Sequence, residues 1–89
     1  LDLRHQRDIV GLLRRLNRRG MAILLVSHDL NLAGEVADRI LLLKEGRVAK
    51  IGDPAEVLNE VTVEAAFGCP VRVEKSPVSG RPLVYPRWD

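Results

Sequence analysis

Ala22-Ile23-Leu24-Leu25-Val26-Ser27-His28-Asp29-Leu30 is the stretch that decides the fold. Its first five residues are apolar without interruption and rich in branched side chains. Such a run reads as a strand covered on both faces, the kind found in a parallel sheet with helices on each side. The strand is expected over residues 21–27. In open sheets of this type, ligands bind beyond the carboxyl ends of the strands. His28 is then carried over a ligand crevice on the first turn after the strand. An imidazole there can donate a hydrogen bond to an anion, and the positive end of a following helix suits the same charge. The competing reading is that His28 only satisfies backbone groups at a strand end.

Helical patterns flank the apolar run. Residues 3 to about 19 place Ile9, Leu12, Leu13 and Leu16 at helical spacing and stop at Gly20, which favours a helix C-terminus. Arg4, Arg7, Arg14, Arg15, Arg18 and Arg19 stand in this segment against Asp2 and Asp8. Arginines in such number can contact nucleic acid or anionic lipid. The apolar spacing instead puts them on a solvated face, with no aromatic among them to stack on bases. Residues 29–37 form a second amphipathic pattern, with Leu30, Ala33, Val36 and Ala37 on one face.

Further along, two strand patterns over 39–43 and 47–51 are joined by Glu45-Gly46, a two-residue hairpin signal. Asp53-Pro54-Ala55-Glu56 combines a cap, a proline suited to the first helical position and a glutamate that can reach back to the cap. A short helix to about Leu58 follows, then another over 62–67 that ends at Gly68. Four of the five prolines, Pro70, Pro77, Pro82 and Pro86, fall in the last twenty residues. They surround two short strands, 71–75 and 83–85, and proline confines such strands to a sheet edge. Residues 76–80 turn between them. A helix–strand–helix–strand order is what remains when a βαβ protein is cut in the middle, so the chain reads as a fragment.

Composition bounds the class. Eighty-nine residues, 46% hydrophobic and 29% charged with a net charge of +2, describe one small soluble domain. No apolar run approaches the roughly 20 residues that span a bilayer, and no signal peptide is recognised. The single cysteine, Cys69, has no internal disulfide partner, which points to a reducing compartment, and it reads as inert.

With Leu1-Asp2-Leu3-Arg4-His5-Gln6 ahead of Ser27-His28-Asp29-Leu30, the chain resembles the C-terminal third of an ATP-binding cassette (ABC) ATPase. Leu1-Asp2 matches the end of the D-loop, and His28 matches the switch histidine of the H-loop. Ala37-Asp38-Arg39-Ile40, Leu42-Leu43-Lys44-Glu45-Gly46-Arg47 and Gly52-Asp53-Pro54-Ala55-Glu56-Val57-Leu58 match the strand, turn and helix that follow. Asp29-Leu30-Asn31-Leu32-Ala33, Phe67-Gly68 and Pro77-Val78-Ser79-Gly80-Arg81-Pro82-Leu83 narrow the resemblance to ATPase subunits of bacterial importers for iron–siderophore complexes, haem and vitamin B12.

The resemblance implies an α/β fold, the C-terminal part of a P-loop NTPase domain. It is expected to hold a parallel strand with helices, then a β-hairpin, short helices and a small edge hairpin. Residues 1–68 would belong to the nucleotide-binding domain and 69–89 to a peripheral hairpin or tail. His28 would touch the ATP γ-phosphate, and Asp2 would lie at the interface of an ATPase homodimer. Ser27 and Asp29 would orient the turn or cap the helix. The implied partners are membrane permease subunits and, indirectly, a substrate-binding protein, at the cytoplasmic face of the bacterial inner membrane, with no nucleic acid. The phosphate loop, glutamine loop and Leu-Ser-Gly-Gly-Gln signature of the family are absent, and its Walker B aspartate and catalytic glutamate would stand just before Leu1. ATP and Mg2+ would therefore be bound mainly by parts outside these residues, no metal ligand is expected here, and the fragment itself is expected to be inactive. Two other readings stay open: an ABC ATPase of translation or DNA repair, and a small non-enzymatic module binding anions or nucleic acid through His28 and the arginine helix.

Overall fold

In the computed structural model, residues 2–89 are described, and Leu1 of the Leu1-Asp2 pair lies outside them. Helix α1 (Leu3–Arg18) begins where Asp2, in extended backbone, accepts a hydrogen bond from the His5 amide at 2.9 Å. That bond satisfies one of the amides a helix start leaves without a partner. Arg15 and Arg18 occupy its last turn, where their charge suits the negative end of the helix. None of its residues is buried, so its apolar stripe is at best half covered.

The most apolar run is not a strand. Residues 21–27 have no sheet partner among the described residues and are exposed, which corrects the expected buried parallel strand. Leu24 and Val26 are 93% and 91% exposed, whereas Ile23 and Leu25 are 39% and 40% exposed. Alternation with period two is the geometry of extended chain with one side partly covered. A strand exists only where a second segment offers its amides and carbonyls. The four strands that form among the described residues pair as two antiparallel hairpins, leaving none of them for this run.

Helix α2 (Leu30–Val36) follows, then β1 (Ile40–Lys44) and β2 (Arg47–Gly52). The turn between the strands is the one the sequence predicts: Glu45 and Gly46 have φ of 53° and 76°. Two consecutive positive φ values describe a type I′ turn, whose twist matches that of the paired strands. The pairing runs from Ile40 opposite Gly52 to Lys44 opposite Arg47. Its register shifts between Leu42 and Leu43, leaving Ala49 as the extra residue of a bulge.

Helix α3 (Pro54–Val57) carries the expected capping box. The Glu56 amide donates to Asp53 Oδ1 at 2.8 Å, and the Asp53 amide donates to Glu56 Oε1 at 3.3 Å. Helix α4 (Glu60–Phe67) starts two residues earlier than its apolar spacing indicates, because Asn59 caps it through the Thr62 amide at 2.8 Å. The chain ends in the antiparallel pair β3 (Val71–Lys75) and β4 (Pro82–Pro86).

The core is built from residues 40 onward, with α2 packed against it. Ile40, Leu42, Val57, Leu58, Val63, Val71 and Val84 form one buried cluster, with Leu30, Ala33 and Ala37 packed against it. The C-terminal hairpin thus contributes Val71 and Val84 to the same core as β1, α3 and α4. Helix α2 lies against β4 at close range. A Cβ on Gly34 would stand 2.9 Å from Leu58 Cδ1 and 3.1 Å from the Pro82 carbonyl oxygen, so glycine sets how near the helix can come.

Candidate functional site

The turn between the extended run and α2 is held by its own side chains. Ser27 Oγ accepts from the Asp29 amide at 2.9 Å. Asp29 Oδ1 accepts from the amides of Asn31 and Leu32 at 3.1 and 3.0 Å, which makes it the cap of α2. These are the two roles the sequence suggested for Ser27 and Asp29. Asp29 Oδ2 accepts in addition from Gln6 Nε2 at 3.3 Å, which ties the turn to the first turns of α1.

His28 sits between these two anchors and is exposed. Among the described residues its imidazole has no hydrogen-bond partner, so satisfying a strand end is not what it does here. Asp29 takes the Asn31 and Leu32 amides at the start of α2, and the exposed imidazole is a further donor that this turn presents.

Asp2 is exposed and engaged locally. Besides capping α1, its Oδ1 lies 3.3 Å from His5 Nδ1. The structure brings the beginning of α1 and the His28 turn together through Gln6, a residue that apolar spacing gives no reason to single out. Between the two helices lies an open cleft of about 540 Å3, lined by Gln6, Arg7, Val10, Arg14, Asn31 and Glu35 among others. Arg14 closes one side of it, with Nη2 3.4 Å from Glu35 Oε2.

The far side of α2 is gripped by the C-terminal hairpin. Asn31 Nδ2 donates to the Val84 carbonyl at 3.0 Å, and the Val84 amide donates back to Asn31 Oδ1 at 2.7 Å. Arg81 Nη1 donates to the carbonyls of Gly34 and Ala37 at 3.3 and 2.7 Å, covering the C-terminal end of the same helix. Sequence reasoning noted Asn31 and Arg81 only as parts of longer matching stretches. Their contacts join residues 53 and 44 positions apart, which no local pattern reveals. Among the described residues no group of three or more His, Cys, Asp or Glu side chains is placed to hold a metal ion. No helix among the described residues is long and apolar enough to cross a membrane.

No family model matches the chain. Curated proteins do. The chain is 47% identical over 89 residues to the hemin import ATP-binding protein HmuV of Rhodococcus jostii, covering all of this chain and 30% of that protein. It is 43% identical over 84 residues to the protein of that name from Rhizobium etli, covering 94% of the chain and 32% of the relative. For the Pseudomonas aeruginosa protein the figures are 41% over 87 residues, 98% and 34%. The chain thus spans about a third of the length of these relatives, at their C-terminal end. Among solved structures, it matches a metal-chelate type ABC transporter in an inward-facing conformation with a TM-score of 0.82 at 24% identity, over 99% of this chain and 36% of that one. That likeness establishes the fold: the α/β arrangement described above is shared with part of that transporter chain.

Proposed function

We propose that these residues are the C-terminal part of the ATP-binding subunit of a bacterial ABC importer that couples ATP hydrolysis to uptake of a metal chelate. Haem is favoured over an iron–siderophore complex or cobalamin by the names of relatives that match all or nearly all of the chain. The observation that carries the reading is the His28 turn. An imidazole with no hydrogen-bond partner among the described residues is presented to solvent between two side-chain anchors, at the place where the resemblance puts the switch histidine.

In that role His28 donates from its imidazole to an oxygen of the ATP γ-phosphate. Charge spreads over the phosphoryl oxygens as the group passes to water, and a donor fixed beforehand stabilises it. Ser27, Asp29 and Gln6 hold the turn and do not touch the nucleotide. Asp2, at the start of α1, faces the second ATPase subunit of a homodimer. No acidic cluster among the described residues is placed to hold Mg2+, so no step of this reading runs through the ion. The nucleotide cradle comes from the rest of the subunit, and these 89 residues by themselves hydrolyse no ATP. The exposed run 22–26 and the half-covered stripe of α1 fit the same picture, being apolar surface left for the rest of the subunit to cover. The assembled subunit works on permease partners, which a substrate-binding protein serves, at the cytoplasmic face of the inner membrane.

The test is His28→Ala in the whole subunit assembled with its permease. Turnover falls by at least about a hundredfold, while nucleotide affinity changes by less than about tenfold. His5→Ala, on the exposed start of α1, leaves turnover near wild type. More than half of wild-type turnover remaining in His28→Ala would overturn the reading.

A further inference from the structure

We propose that Asn31 is a positioning residue for His28, and that the C-terminal hairpin of β3 and β4 is the clamp through which it acts; this rests on the role given to His28 above. The two-way pairing of Asn31 with Val84 has the pattern of one more rung on the open edge of β4. The side-chain amide donates to the Val84 carbonyl and its oxygen accepts from the Val84 amide, at 3.0 and 2.7 Å. Val84 is buried in the core, 8% exposed, so its backbone groups need partners, and the side chain of α2 supplies them.

Asn31 is also bound in the other direction. Its own amide donates to Asp29 Oδ1, and Asp29 donates its amide to Ser27 Oγ. His28 lies inside this chain of contacts. Its backbone is therefore referenced on one side to α1, through Gln6, and on the other to the core strand β4, through Asn31. Arg81, on the approach to β4, fixes the opposite end of the helix through the Gly34 and Ala37 carbonyls. A seven-residue helix has little rigidity of its own. With both ends held on one hairpin it cannot slide or tilt without breaking contacts at residues 81 and 84. A displacement of about 1 Å at a catalytic group costs up to about a hundredfold in rate, so the clamp has a catalytic consequence at a distance from the phosphate.

The experiment is a double-mutant cycle in the whole assembled subunit. Asn31→Ala is expected to lower kcat by about tenfold with KM for ATP within about twofold, since it touches no nucleotide. Made on the His28→Ala background it is expected to lower the residual rate by less than about twofold, because residues that act as a unit are not additive. Asn31→Asp keeps the acceptor for the Val84 amide but sets a carboxylate oxygen against the Val84 carbonyl in place of the donation; its kcat is expected at or below that of Asn31→Ala. It also serves as the test if Asn31→Ala does not fold. Wild-type kcat in both Asn31 variants, with His28→Ala inactive, would overturn the clamp and leave the role of His28 standing. An equal tenfold loss with and without His28 would overturn it as well, since Asn31 would then act independently. An active His28→Ala subunit would instead remove the reading on which the clamp rests.

Discussion

Gln6 Nε2 donates to Asp29 Oδ2 across 3.3 Å, joining the second turn of α1 to the cap of α2. The acceptor is already committed, because the other oxygen of the same carboxylate holds the amides of Asn31 and Leu32. One side chain therefore serves both as helix cap and as the point where α1 meets the turn carrying His28. A carboxylate suits both roles at once, since it offers two oxygens with several lone pairs, and bonds to an ionised acceptor are stronger than neutral ones.

Removing that carboxylate has a definite expected effect. Asp29→Ala in the whole subunit takes away an N-cap and the partner of Gln6 together, at a cost of about 1–2 kcal/mol, read as a drop in thermal midpoint. Asp29→Asn retains a capping oxygen and is expected to lose much less. Equal midpoints for wild type and Asp29→Ala would show that the cap carries no stability.

Gly34 marks how closely α2 approaches the core. A methyl group there meets Leu58 Cδ1 at 2.9 Å and the Pro82 carbonyl oxygen at 3.1 Å. The leucine tip can move, but the carbonyl belongs to backbone at the start of β4. Helix propensity favours alanine over glycine by about 1 kcal/mol, and overpacking costs typically about 1–3 kcal/mol. Gly34→Ala is expected to be net destabilising, by chemical denaturation, because the helix must move off the hairpin. A gain in stability would mean that α2 and β4 separate freely.

The capping box of α3 carries a pH signature. The hydrogen bond donated by the Glu56 amide holds the Asp53 carboxyl below the ordinary value of 3.8. The folded value is lower than the unfolded one, so the cap's contribution is complete above pH 3.8 and is lost as pH falls through the depressed folded value. Following the Asp53 carboxyl carbon by NMR in acid, the expected midpoint lies below 3.8. A wild-type midpoint at or above 3.8 would contradict the bond.

The helix caps and turns were legible because their signals act within a few residues. Asp53 and Glu56 stand three positions apart, Glu45-Gly46 closes a two-residue turn, and the stop at Gly68 ends α4. Asn59 and Thr62 also have the spacing of a cap and its third residue, but apolar periodicity places the start of α4 later and hides that signal. The site was legible as a turn, through Ser27, His28 and Asp29, but its supports were not.

By itself the sequence determined the local parts: which residues start and stop helices, where the hairpins reverse, and that His28 follows the most apolar run. Such choices depend on φ and on bonds within one turn of chain, which neighbouring residues settle among themselves. Tertiary structure alone decided that Gln6 meets Asp29, that Asn31 pairs with Val84, and that Arg81 covers the end of α2. It also decided that residues 22–26 remain exposed while the core gathers around Val57, Leu58 and Val63. Apolar composition states that a segment gains by burial. Whether it becomes a strand depends on another segment presenting its hydrogen-bonding groups, and that depends on how the whole chain is arranged in space.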